Sequence, residues 1–179
     1  MLDALTQLRI LRELIVIIIA ALPIFELRGA IPVAINLFKF PWYYAFLLAF
    51  VGNILPVPFI LIFLERIVKI LSRVELFGRF FEWLFTRTRR RSGSIQKYEG
   101  IGLMVFVAVP LPLTGAWTGA LIAVLLGMPF WRSLISIAIG VFIAGVIVTC
   151  LSLLGWIGAI IASVALCVMA ILGLWKFWK

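Results

Sequence analysis

Leu22-Pro23-Ile24-Phe25-Glu26-Leu27-Arg28-Gly29-Ala30-Ile31-Pro32 lies in the middle of an apolar run covering residues 10–38. A run of that length is sufficient to cross a bilayer, which takes about 20 apolar residues. Its centre, however, gathers two prolines, a glycine and two opposite charges. Each proline removes a backbone donor, and the residue before a proline avoids helical geometry. The spacing therefore predicts two short helical arms, residues 10–22 and 33–38, joined by a break at Pro23, Gly29 and Pro32. Arms this short suit a re-entrant hairpin, whose turn survives at membrane depth only where protein or a water-filled cavity shields it from lipid. A single kinked spanning helix is the alternative that the pattern leaves open.

Working outward, residues 41–64 form a spanning segment, opened by Pro41-Trp42-Tyr43-Tyr44 with a helix-start proline and interfacial aromatics. Gly52, Asn53, Pro56 and Pro58 inside it predict close packing and a kink. Residues 65–86 switch to a helical period with aromatics on one face and basic residues on the other, the pattern of an amphipathic helix in the membrane interface. Residues 87–98, opening with Arg87-Thr88-Arg89-Arg90-Arg91, form a basic loop that the positive-inside rule assigns to the cytoplasm. Residues 101–127 repeat the first oddity, a long apolar run interrupted by Pro110, Pro112, Gly115 and Gly119, and predict a second re-entrant hairpin. Segments 129–154 and 155–175 follow as spans, the first opened by Pro129-Phe130-Trp131.

Pro41 matches Pro129 and Gly52 matches Gly140 at one common offset, and each pair follows an interrupted segment. Interrupted apolar segments at corresponding places in two halves point to a transporter-type binding site. If both segments turn back, the halves are inverted and the N-terminus lies outside; Arg9 and Arg12 favour the kinked, spanning alternative. The expected fold is an all-α membrane protein with an inverted repeat of two re-entrant hairpins, each followed by a transmembrane helix. An interfacial helix and a C-terminal span complete it, in one domain covering residues 1–179.

Composition agrees: 65% of the 179 residues are hydrophobic, well above the roughly 45–50% of soluble domains. Sixteen Lys and Arg against seven Asp and Glu give a net charge of +9, which in so apolar a chain points to anionic membrane lipids rather than nucleic acid. No signal-peptide cleavage site interrupts the first apolar run. The chain has no histidine, which removes the commonest metal ligand and general base, and Asp3 is its single aspartate. Neither a metal nor a cofactor is expected, and an intramembrane enzyme is disfavoured. The glycines near residues 154–159 would allow a homo-oligomer through close helix contacts.

Of the seven acids, Glu26 alone falls in the middle of an apolar segment. A charge at mid-bilayer costs at least about 2.5–3.5 kcal/mol, so such a group faces a cavity or a partner, and Arg28 is at hand. Burial and a neighbouring guanidinium act on a carboxyl's proton affinity in opposite senses, which suits reversible proton exchange. Arg28 could hold a phosphate or carboxylate through its planar fork. Asn53, Thr114 and Thr118 are lower-ranked substrate- or ion-binding candidates. A static Glu26–Arg28 tether is the competing reading of the same pair.

Phe25-Glu26-Leu27-Arg28-Gly29-Ala30-Ile31-Pro32 and Pro110-Leu111-Pro112-Leu113-Thr114-Gly115-Ala116-Trp117-Thr118-Gly119-Ala120 resemble the two signatures of the putative small multidrug export protein family. That family is distantly similar to the DedA and VTT-domain membrane proteins. The resemblance implies paired re-entrant hairpins, transport of a small amphipathic or anionic lipid-like substrate, an acidic functional position at Glu26 and a basic one at Arg28. Where DedA proteins carry arginines in the second hairpin, this chain has Thr114 and Thr118. The expected function is a proton-coupled transporter in a prokaryotic inner membrane. The alternative is a membrane-shaping or assembly protein acting through its basic amphipathic segment.

Overall fold

The computed structural model describes residues 2–71, 93–111, 114–155 and 158, and every regular element among the described residues is helical. Helix α1 (Leu2–Ala21) starts well before residue 10, where the first arm was expected. The extension follows from its polar residues, which find partners at helical spacing. Arg9 Nε donates to Glu13 Oε1 at 3.1 Å, and the Tyr44 hydroxyl donates to the same oxygen at 2.6 Å. α1 is therefore a full-length helix rather than a short arm.

The break after α1 is also shorter than expected. It occupies Leu22 to Phe25 and contains Pro23, after which α2 (Glu26–Pro32) runs directly into a π-helical turn, Val33–Leu37. Gly29 and Pro32, expected at the break, lie inside this helix. Pro32 takes φ −59° and ψ −39°, values its ring accommodates in a helix. The bond it cannot donate is absorbed by a wider register downstream, where Phe38 N–H donates to Val33 O at 3.1 Å. Gly29 is small because a Cβ would come within 3.0 Å of Phe25 Cβ.

Lys39, at φ 56°, turns the chain toward Pro41 and α3 (Trp42–Ile54). The Arg12 guanidinium lies 5.9 Å from the centre of the Phe38 ring, so the chain that runs up α1 beyond residue 12 has returned to the same level by residue 38. α4 (Val57–Leu71) follows a short break at Leu55 and Pro56, and Trp42–Val68 together are long and apolar enough to cross a membrane. α4 enters the expected interfacial segment 65–86, whose residues beyond 71 lie outside the described ones. The same holds for residues 87–92 of the basic loop. α5 (Gly93–Ala108) begins inside that expected loop; no proline lies between Gly93 and Ala108, and a helix tolerates single glycines at about 1 kcal/mol each.

The second interruption separates α5 from α6 (Ala116–Leu125) and includes Pro110, Thr114 and Gly115; Pro112 lies outside the described residues. Gly119, expected at the break, sits within α6, where a Cβ would fall 2.6 Å from Val107 Cγ2 of α5. α7 (Phe130–Leu153), preceded by Pro129, is the second helix long enough to span. It closes at Gly155, whose φ of 57° suits the left-handed cap that ends many helices. Of the expected final span 155–175, only Gly155 and Gly158 are described.

The packing of the two halves follows one scheme. A Cβ at Gly52 would meet Ile17 O and Ala20 Cβ of α1; a Cβ at Gly140 would meet Met104 O and Val107 Cβ of α5. Glu13 pairs with Tyr44 farther down the same α1–α3 contact, so these helices run parallel. Gly100 lies against Ser136 farther down the α5–α7 contact, so that pair is parallel as well. Between the halves the direction reverses: Phe142 meets both Phe46 and Phe50, while Gly145 abuts Phe46, so α3 and α7 are antiparallel. The interior is built largely from small residues, among them Ala20, Ala30, Ala34, Ala45, Ala49, Ala116, Ala120 and Ala123, all fully buried. In lipid, where apolar surface gains nothing from avoiding the solvent, close backbone approach of this kind is what holds helices together.

Candidate functional site

The two interruptions meet. Glu26 opens α2 as a residue only 6% exposed, and its backbone stands at φ 48°, a left-handed conformation costing a non-glycine residue about 1–2 kcal/mol. Its carboxylate reaches across to the start of α6, where it accepts hydrogen bonds from the backbone N–H groups of Ala116 and Trp117. These are two of the four donors that any helix leaves unpaired at its N-terminus, and the helix dipole adds to the attraction for a negative charge. The helix's own N-cap residue, Gly115, has no side chain with which to cap it. Glu26 therefore serves as an N-cap delivered from the other half of the chain.

Gly115 makes the contact feasible. Its φ of −98° and ψ of −165° are ordinary extended values open to any residue, so the backbone does not call for glycine here. Space does: a Cβ at Gly115 would overlap the Glu26 carboxyl group. The left-handed position is thus held by a glutamate and the ordinary position by a glycine, an inversion of the usual preference that the carboxylate contact explains.

Arg28 completes the junction. Its Nη2 lies 3.7 Å from Glu26 Oε2 and 3.4 Å from Thr114 Oγ1, with about a quarter of its side chain exposed (23%). Both distances are long beside the roughly 2.7–2.9 Å of a tight charge-assisted bond. With five N–H donors in a fixed fork, Arg28 retains capacity for a further anion. Thr114 is held by its own loop: its hydroxyl lies 2.7 Å from Val109 O and 2.9 Å from Leu111 O and accepts the Leu111 N–H at 3.2 Å. The hydroxyl serves the loop backbone and presents its oxygen to Arg28 as well.

A second bond crosses the junction in the opposite sense. The Trp117 indole N–H donates at 3.1 Å to Ala21 O, one of the carbonyls left open at the end of α1. Each interruption thus satisfies a backbone end of the other.

Of the candidate residues, Glu26, Arg28 and Thr114 lie together. Thr118 does not join them, because its hydroxyl bonds back to Gly115 O at 3.2 Å and closes the first turn of α6. Asn53 stands apart in α3, fully buried and without a hydrogen bond to any of them. Sequence reasoning placed Gly115 at the turn without seeing its contact and passed over Trp117. A clue was present, since a tryptophan beside a Pro-Gly break has an indole N–H that must find an acceptor when buried.

The family model for putative small multi-drug export proteins matches residues 26–147, a stretch that opens on Glu26 just after the first break and takes in α2, α3, the second interruption and most of α7. No curated protein and no solved structure matches the chain. An export family is not an enzyme class, and the two long apolar helices agree with a membrane location. With more than half of its length matched, the chain belongs to the family described as putative small multi-drug export proteins.

Proposed function

We propose that the protein is a membrane transporter that moves a small amphipathic or anionic lipid-like molecule through the junction of its two interruptions, with proton exchange at Glu26. In this reading the segments α1–α2 and α5–α6 are re-entrant hairpins entering from opposite faces of a prokaryotic inner membrane, and α3 and α7 are the spans that follow them. The return of Phe38 to the level of Arg12 supports the first hairpin, and the antiparallel course of α3 and α7 supports the inversion. The basic segment 87–91 then lies in the cytoplasm by the positive-inside rule.

One observation carries the proposal: a buried carboxylate and an unsaturated guanidinium from one half meet the open end of a helix from the other. A carboxylate in this position alternates between capping α6 and carrying a proton, and loss of its charge weakens that bond between the halves. Arg28, which stays charged throughout, takes the anionic group of the substrate. The lipid-like rather than freely soluble character of that molecule is part of the proposal, in line with the apolar helices that surround the junction.

The test is transport of a fluorescent short-chain phosphatidylglycerol by proteoliposomes under an imposed pH gradient. Wild-type protein moves the probe at a rate that follows the gradient. Glu26→Gln retains hydrogen-bonding shape without charge and should lose that dependence, while Arg28→Gln should lose probe movement itself. An undiminished gradient response in Glu26→Gln would remove the proton from the mechanism.

A further inference from the structure

Buried polar side chains in this molecule mostly find partners within the chain. Ser133 donates to Pro129 O at 3.1 Å, Thr149 to Gly145 O at 2.7 Å, and Glu26 caps α6. Asn53 differs. It is fully buried, and neither its Oδ1 nor its Nδ2 has a hydrogen-bond partner among the described residues. A primary amide left dry and unpaired in an apolar interior is costly, because it forfeits all its bonds to water.

Comparison with the other half shows that the scaffold does not require the amide. Asn53 follows Gly52 as Val141 follows Gly140, and Val141 is buried and apolar. The surroundings differ in a second way. Pro56 and Pro58 have no N–H to offer the carbonyls of Gly52 and Ile54, which lose their regular helical donors, and the chain breaks between α3 and α4. At the corresponding positions α7 has Ala144 and Val146 and continues without interruption. One turn of α3 thus gathers an unpaired amide and two carbonyls without their regular helical donors. Its neighbours are small: Ala45 and Ala49 lie on the same helix face as Asn53, and Gly52 touches Ala20 of α1.

We propose that Asn53 and the proline-interrupted turn after it bind an ordered water in the interior of the protein. Water accepts from Nδ2 and donates to Oδ1 or to a freed carbonyl, so it serves both halves of the amide. A bare cation would serve the oxygens and leave the NH2 group unpaired. The site adjoins the tip junction, because Gly52 touches Ala20 and the next residue, Ala21, receives the Trp117 bond. This inference stands independently of what the protein transports.

The test uses full-length protein in nanodiscs, as wild type, Asn53→Leu and Asn53→Val, the last copying Val141. Both substitutions remove the water's anchor and leave the carbonyls unserved, so the thermal midpoint falls by about 2–4 °C, equally in sodium chloride and choline chloride. A wild-type structure at high resolution shows density within hydrogen-bonding distance of the amide. A midpoint that stays level or rises would mean the amide is dry, and a fall confined to sodium chloride would mean a cation; either overturns the proposal. Should neither variant fold, the wild-type density alone decides: an empty site refutes a bound water.

Discussion

The tip between α1 and α2 carries Glu26 and Arg28, whereas the tip between α5 and α6 has no ionisable side chain among its described residues. It offers instead the N–H groups of Ala116 and Trp117, an indole donor and the Thr114 hydroxyl. The scaffolds beneath the tips are alike, with Gly52 and Gly140 packed against corresponding positions of α1 and α5. A shared framework therefore bears two chemistries that are incomplete separately. A buried carboxylate needs donors, and a helix beginning beside it needs an acceptor, so joining the tips resolves both deficits with one contact.

Gly115→Ala should have the largest effect on that contact. The added methyl occupies the space of the carboxyl group and strands a buried charge, at a cost of about 3–5 kcal/mol. Transport should be lost and denaturation should come at a lower temperature. The double variant Glu26→Ala/Gly115→Ala should recover part of the stability without transport, because the residue displaced is gone. Strict additivity of the two substitutions in a thermal-melt cycle would show that Gly115 does not act through Glu26.

The likeness of the frameworks is tested next. Gly52→Ala and Gly140→Ala each direct a methyl at a backbone oxygen, 2.6 Å from Ile17 O and 2.7 Å from Met104 O respectively. Each should cost about 1–3 kcal/mol, and by similar amounts. A large loss in one half with none in the other, measured by chemical denaturation in detergent, would break the equivalence.

Trp117→Phe keeps an aromatic ring and deletes the donor to Ala21 O, for a loss of about 1 kcal/mol. It should weaken the junction without altering the charge at Glu26, so a gradient-dependent transport rate should persist at reduced stability. Tyr44→Phe should matter least. It removes the hydroxyl from Glu13 toward the far end of α1, where Arg9 remains as partner, and the expected loss is below about 1 kcal/mol. A larger effect on the melting temperature would show that the base of α1 contributes more than the tip.

The central pair was readable because charge in an apolar run is conspicuous, and the cost of burying it already implies a partner. The extent of the break was not. Pro32 looked like a helix breaker, yet it lies in a helix because its own backbone angles are helical and the chain widens to a π register to absorb the missing donor. Asn53, Thr114 and Thr118 carried equal weight as polar residues in apolar segments. Their fates diverged according to what lay within reach: a neighbouring guanidinium for Thr114, its own helix for Thr118 and no partner among the described residues for Asn53.

Taken alone, the order of residues determined a helical membrane chain with two interrupted segments, matched prolines and glycines in each half, and one ionisable couple away from water. Those features depend on hydrophobic length, backbone donors and the cost of charge, all of which are local. That Glu26 caps a helix belonging to the other half of the chain, and that Gly115 leaves the space to receive it, was decided by tertiary structure alone. Contacts across the junction depend on which surfaces two separate helices bring together, and no periodicity within either segment encodes that choice.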